Sequence, residues 1–182
     1  MAIRHPDRVS ALVLMVPLAW KPGALADSAP PLPPMVEKVL MQLVGSDFLF
    51  WAGLHVARDS LIRLVLVTPP QQVSLASPQE RERVNAMLDH ILPVSARAAG
   101  LRSDTALGKS LAPYALESIQ APTLIVSTRD DGYGTFASAE YTASQIAGAK
   151  FVGFDEGGHV WVGHDAEVQA EIVKLLGLKS SP

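Results

Sequence analysis

The chain has 182 residues, enough for one domain, or for one domain with an insertion. Almost half of it, 48%, is hydrophobic, and the formal charge of −3 comes without any basic block, which argues against a nucleic-acid partner. It has no cysteine, which excludes disulfides, a thiol nucleophile and cysteine-ligated metals and fits a reducing, cytoplasmic location.

Residues 1–4 read as the last turn of a helix that begins outside the sequence, which suggests a shortened chain. They do not open a signal peptide, because no apolar core of the required length follows. Residues 9–16, V-S-A-L-V-L-M-V, form a short apolar run bounded by His5-Pro6-Asp7 and Pro17, the pattern of a parallel strand covered on both faces. Residues 17–34 hold six prolines and read as a loop. A helix is expected over 35–44, with Val36, Val39, Leu40 and Leu43 at helical spacing, broken at Gly45-Ser46-Asp47. Residues 48–67 read as one further helix. His55, Arg58, Asp59 and Arg63 interrupt it, so it suits a buried or cap helix better than a membrane span. Its aromatic residues Phe48, Phe50 and Trp51 read as core, with the lining of an apolar pocket as the alternative.

Ser77-Pro78-Gln79-Glu80 is a strong helix start: serine caps, proline takes the first turn and glutamate follows three residues on. Val84, Met87, Leu88 and Ile91 give that helix its apolar stripe, and Pro93 is expected to end or kink it. Residues 95–109 are less regular. A second strand is expected over 123–128, a helix over 138–147 started by Ser138, a third strand over 150–154, and a last helix capped by Asp165 and closed by Gly177. The order is strand, a helical insertion of about ninety residues, then strand–helix–strand–helix, the pattern of a parallel α/β sheet. The insertion suits a cap over the carboxyl ends of the strands, where open sheets place ligands.

Two loops carry the chemistry. Arg129-Asp130-Asp131-Gly132 follows the second strand, and Gly157-Gly158-His159 follows the third. One crossover between neighbouring parallel strands brings their loops side by side. A carboxylate that holds one N–H of a general-base imidazole is two-thirds of a Ser-His-Asp triad. Read in isolation, Asp130-Asp131 is a solvated polar turn and His159 a surface histidine; the spacing between them favours the paired reading. Metal ligation by His159 and His164 is the weaker alternative, since the two are not in H-E-x-x-H spacing. Trp161 reads as packing on the last helix. No G-x-S-x-G nucleophile elbow occurs; Ser46, Ser103 and Ser110 read as turns or caps.

Three blocks together resemble the C-terminal half of a bacterial α/β-hydrolase of the capped esterase, lactonase and C–C hydrolase type. They are A-I-R-H-P-D-R-V-S-A-L-V-L-M-V-P (2–17), A-P-T-L-I-V-S-T-R-D-D-G-Y-G-T (121–135) and G-A-K-F-V-G-F-D-E-G-G-H (148–159). The resemblance implies an α/β fold with three parallel strands, the sixth to eighth of the family's sheet, flanked by helices. It implies a core formed by 1–20 and 115–182, and a helical cap over 21–114. It assigns the triad acid to Asp131, with Asp130 as runner-up, and the base to His159. It implies a small apolar ester-like substrate, no cofactor, no metal and no membrane association. The family usually has glycine where this chain has Thr128, and often proline where it has Gly134-Thr135. With no nucleophile in the chain, the complete triad belongs to a longer form, and the first strand is expected to expose an apolar edge that promotes self-association. A non-catalytic binding module on the same scaffold is the alternative.

Overall fold

The computed structural model describes residues 1–23, 33–43, 45–108 and 111–177. Residues 24–32 of the proline-rich loop, Val44 and the 109–110 pair with Ser110 lie outside it. Two compact units emerge, Met1–Ser28 with Ala112–Pro182, and Ala29–Leu111.

The first unit is a three-stranded parallel sheet: β1 (Leu12–Met15), β2 (Thr123–Thr128) and β3 (Lys150–Phe154), in the order β1-β2-β3. Leu12 registers with Thr123, and Val126 with Val152. Every residue of the central strand β2 is buried, because helices cover both of its faces. Ile125 points into a cluster with Leu116, Ile119, Ala139 and Ile146, joined by Leu12 and Leu14 of β1. Leu124 and Val126 point the other way, toward Val168, Ile172 and Leu175, joined by Val13 and Met15. The period-two alternation of β1 thus serves two cores, which is why its sequence is apolar throughout. The helix α7 (Phe136–Gln145) carries Ala139 on one side of the sheet, and α8 (Asp165–Leu175) carries Val168 on the other. Burying a valine or leucine side chain contributes about 1.5–3 kcal/mol, so these clusters dominate the unit's stability.

The first strand is shorter than the apolar run suggests. Val16 leaves the extended region at φ 42°, while its N–H still reaches Val126 O at 2.7 Å. Among the described residues β1 pairs only with β2, and no described strand lies on its outer edge. The helix expected from Ser138 begins at Phe136. Ser138 sits inside it and donates its hydroxyl to Thr135 O and Pro17 O, tying α7 to the end of β1. Asp165 is the first residue of α8 rather than its cap, and accepts the Trp161 indole N–H at 3.2 Å. It still places a negative charge at the helix's positive end. Gly177, at φ +64°, closes α8 as expected.

The second unit is helical: α1 (Pro34–Leu43), α2 (Asp47–Val56), α3 (Arg58–Val65), α4 (Pro70–Leu75), α5 (Pro78–Asp89) and α6 (Ala98–Gly108). The single helix expected over 48–67 is two, because Ala57 (φ −147°, ψ 39°) breaks it. Ser46 caps α2 and Ser77 caps α5, each accepting the backbone N–H three residues on. Phe50, Leu54, Leu61, Ile62, Val84 and Leu88 are buried. The aromatic trio splits: Phe50 is core, whereas Phe48 and Trp51 are exposed and stack on each other at 6.1 Å. Arg58 joins α3 to α5 through Asp89 (2.9 Å) and Asn85 (3.3 Å). Among the described residues no helix is long and apolar enough to cross a membrane.

Candidate active site

The sheet delivers Asp131 and His159 to each other. Asp131 stands three residues past the end of β2, and His159 five past the end of β3. Their strands are neighbours, so the two loops meet at the carboxyl edge of the sheet. His159 Nδ1 lies 3.1 Å from both carboxylate oxygens of Asp131. Ionised Asp131 accepts only, so Nδ1 carries the proton and donates, which leaves the lone pair on Nε2. The carboxylate is fully buried, while the histidine side chain keeps 29% of its surface open. The pair thus has a dry anchor and a reachable tip.

The buried carboxylate is held by more than its histidine. The Tyr133 N–H donates to Oδ1 at 3.0 Å, closing the turn just past the acid, and the Thr135 hydroxyl donates to Oδ2. Because Thr135 spends its proton on Asp131, the Ser127 hydroxyl 3.0 Å away must be the donor to Thr135 Oγ1. Burial alone would raise the Asp131 carboxyl. The hydrogen bonds from His159 and Thr135, the His159 charge and the Tyr133 amide outweigh it and hold the group below its ordinary value. A buried carboxylate that stays ionised is what an imidazolium formed during catalysis needs beside it.

Asp130 points elsewhere. Its oxygens accept the Gly158 N–H at 2.8 Å and the Gly157 N–H at 3.3 Å. The structure therefore pairs His159 with Asp131 and gives the neighbouring aspartate to the histidine's loop. His164 lies outside the pair and stacks on Phe154, with ring centroids 3.8 Å apart. Trp161 adopts φ 44° and packs against the Leu124–Val168 cluster. Among the described residues no group of three or more histidines and carboxylates gathers in ligand geometry. The Tyr133 ring meets the His159 ring edge to face at 4.7 Å.

The serine hydrolase family profile matches residues 50–176. The chain belongs to the serine hydrolase family. No sequence among the curated proteins matches it. Several solved structures share the fold. An α/β-hydrolase fold protein from Nakamurella multipartita is 27% identical, with a TM-score of 0.61, over 96% of this chain and 63% of that one. An α/β-hydrolase enzyme from a Medee basin deep-sea metagenome library is 16% identical with a TM-score of 0.54, over 100% and 61%. A hydrolase from Pseudomonas aeruginosa PA01 is 22% identical with a TM-score of 0.51, over 97% and 58%. The chain thus spans about three-fifths of the length of these structures. The α/β class, with three parallel strands and flanking helices, is the fold of a serine hydrolase.

Two hydroxyl residues noted in the sequence lie at the pair. Thr128 donates its hydroxyl to Gly158 O at 2.7 Å. Thr135 donates its hydroxyl to Asp131 directly. Sequence reasoning saw these as differences and missed their work. The available signal was their placement: two hydroxyl residues, Ser127 and Thr128, follow the apolar run 124–126 at the end of the strand. A buried hydroxyl at a strand's end requires a partner.

Proposed function

We propose that this chain carries the acid and base of an α/β-hydrolase that cleaves an ester or similar acyl bond of a small apolar substrate. The observation that supports it is the Asp131–His159 contact, 3.1 Å from Nδ1 to a buried, ionised carboxylate. In the complete reaction His159 Nε2 takes the proton of a serine hydroxyl as its oxygen bonds to the acyl carbon. The same nitrogen then returns the proton to the departing alkoxide. Asp131 keeps the ring in the tautomer that makes this possible and stabilises the transient imidazolium. Asp130 is not assigned the acid's role, since it serves the loop. The sequence contains no G-x-S-x-G, so the nucleophile is proposed for a longer form of the enzyme. The division into an α/β core and an inserted helical cap, and a cytoplasmic setting, belong to the same proposal.

With these residues alone, His159 has water as the available nucleophile. The expected result with p-nitrophenyl acetate is slow hydrolysis without an acyl-enzyme burst, lost in His159→Ala. General-base help of this kind gives roughly 10²–10⁴-fold over solution. Hydrolysis equal in the parent and His159→Ala would remove the catalytic reading. Saturable ligand binding without hydrolysis would favour the alternative of a binding module, which the missing elbow motif keeps in play.

A further inference from the structure

We infer that Asp130 and Thr128 are positioning residues that clamp the peptide groups on either side of Gly158, just before His159, and that the Asp131–His159 hydrogen bond depends on this clamp. The inference rests on the reading of Asp131 and His159 as an acid–base pair. Gly157 and Gly158 take φ 133° and φ 60°. Successive N–H groups in such conformations converge into a small anion-binding concavity. Here the anion is internal: the Asp130 carboxylate fills it, with bonds of 2.8 and 3.3 Å. The other side of the same glycine is held as well, by the Thr128 hydroxyl on Gly158 O at 2.7 Å. Gly158 is thus gripped at both its N–H and its C=O, immediately before the catalytic ring.

The space around the turn explains why glycine stands there. A Cβ on Gly157 would come within 3.1 Å of Trp161 Cα and 3.2 Å of Val162 N, both backbone atoms that cannot yield cheaply. A turn built from two glycines is also the most pliable way to present a side chain. Without an external hold, His159 would sample orientations in which Nδ1 misses Asp131. Both clamps leave from the end of β2 or the turn just after it, the same segment that carries Asp131. Acid and base loop are therefore referenced to one rigid element, and their separation does not depend on the length of either loop.

The test is nuclear magnetic resonance on the full chain, reading the His159 Nδ1–H resonance and the exchange rate of the Gly158 amide. In the parent a protected, downfield Nδ1–H is expected, and Asp131→Ala should lose it. Asp130→Ala should accelerate Gly158 exchange about tenfold or more, the scale of one charge-assisted hydrogen bond, and expose the Nδ1–H to solvent. Asp130→Asn keeps one acceptor oxygen and should lie between parent and alanine. Thr128→Val removes a hydroxyl with no change of charge and should act in the same direction, with Thr128→Ser restoring the parent signals. Parent-like Nδ1–H and Gly158 behaviour in Asp130→Ala overturns the clamp. So does identical behaviour of Asp130→Asn and Asp130→Ala combined with a silent Thr128→Val, which would mark a field effect. An Nδ1–H signal that survives Asp131→Ala overturns the pair itself, while Gly158 exchange still reports on the clamp.

Discussion

Replacing Thr135 by valine tests the support beneath the acid. Valine has nearly the shape of threonine, so the packing of the turn is retained and only the hydroxyl disappears. Two interactions go with it. The Asp131 carboxylate loses a charge-assisted hydrogen bond, which contributes about 1.5–3 kcal/mol. The Ser127 hydroxyl, fully buried, loses its acceptor at 3.0 Å, at a cost of about 1–3 kcal/mol. Ser127 can rotate toward another acceptor, which trims the second figure. The expected destabilisation is about 3 kcal/mol. Urea unfolding followed by circular dichroism reads it as a midpoint lowered by about 1.5 M, for a slope of about 2 kcal/mol per molar. The double variant Ser127→Ala/Thr135→Val removes the orphaned hydroxyl as well. It should recover about 1 kcal/mol relative to the sum of the single changes. A Thr135→Val change within about 0.5 kcal/mol of the parent, with additive singles, would refute the hydroxyl chain as a support.

The depressed Asp131 carboxyl predicts an acid limb in stability. Its contribution is fully present above the unfolded carboxyl value of about 3.9 and is lost as pH falls through the lower folded value. Asp131→Asn should flatten that limb, as measured by urea midpoints across acid pH. Ser77→Ala removes the cap that accepts the Glu80 N–H at 3.2 Å and should cost about 1 kcal/mol in the helical unit. The open edge of β1 should promote association, visible as concentration-dependent sedimentation. Leu12 and Val16 spend their N–H groups on β2, so by alternation Val13 points its N–H outward. Val13→Pro should therefore block the edge and reduce association while sparing the β1–β2 ladder. Unchanged sedimentation in that variant would locate the association elsewhere.

The strands were legible because β2 and β3 each compress their signal into five or six residues flanked by turn chemistry. The contact of Asp131 with His159 was legible because one crossover brings two loops side by side, whatever the helix between them contains. Boundaries were less so. The start of α7 was read from Ser138, a good capping type, but that hydroxyl is used inside the helix to hold Pro17. The break falls at Ala57, itself a strong helix former, and its dihedral angles reveal it. The exposed pair Phe48–Trp51 and the buried Phe50 could not be separated by hydrophobicity, since all three have it in abundance. Most instructive is Asp130. In sequence it competes with Asp131 for one role, being the same residue type one position away. The turn that follows β2, closed by the Asp131 N–H on Thr128 O at 3.3 Å, turns the two carboxylates in different directions, one to the imidazole and one to the glycines.

That division of labour bears on what the chain can do without a serine in a G-x-S-x-G elbow. The groups that hold the acid and the histidine loop, Ser127, Thr128, Asp130, Tyr133 and Thr135, all lie in or just after β2. The bonds that set the tautomer of His159 are therefore made before any nucleophile or substrate arrives. An imidazole with its Nδ1 proton committed to a buried carboxylate keeps a lone pair at Nε2. Such a group is a base in its own right, and the identity of the atom it deprotonates is set by what stands in front of it. A serine would make it part of a triad; water would make it a slow hydrolase. The two cases differ in one measurable respect. A serine route accumulates an acyl-enzyme and shows a burst, whereas the water route is linear from the first turnover. A linear, His159-dependent trace with p-nitrophenyl acetate is the outcome that the preformed pair demands of these 182 residues. A burst would mean that a nucleophile other than water is at work within them.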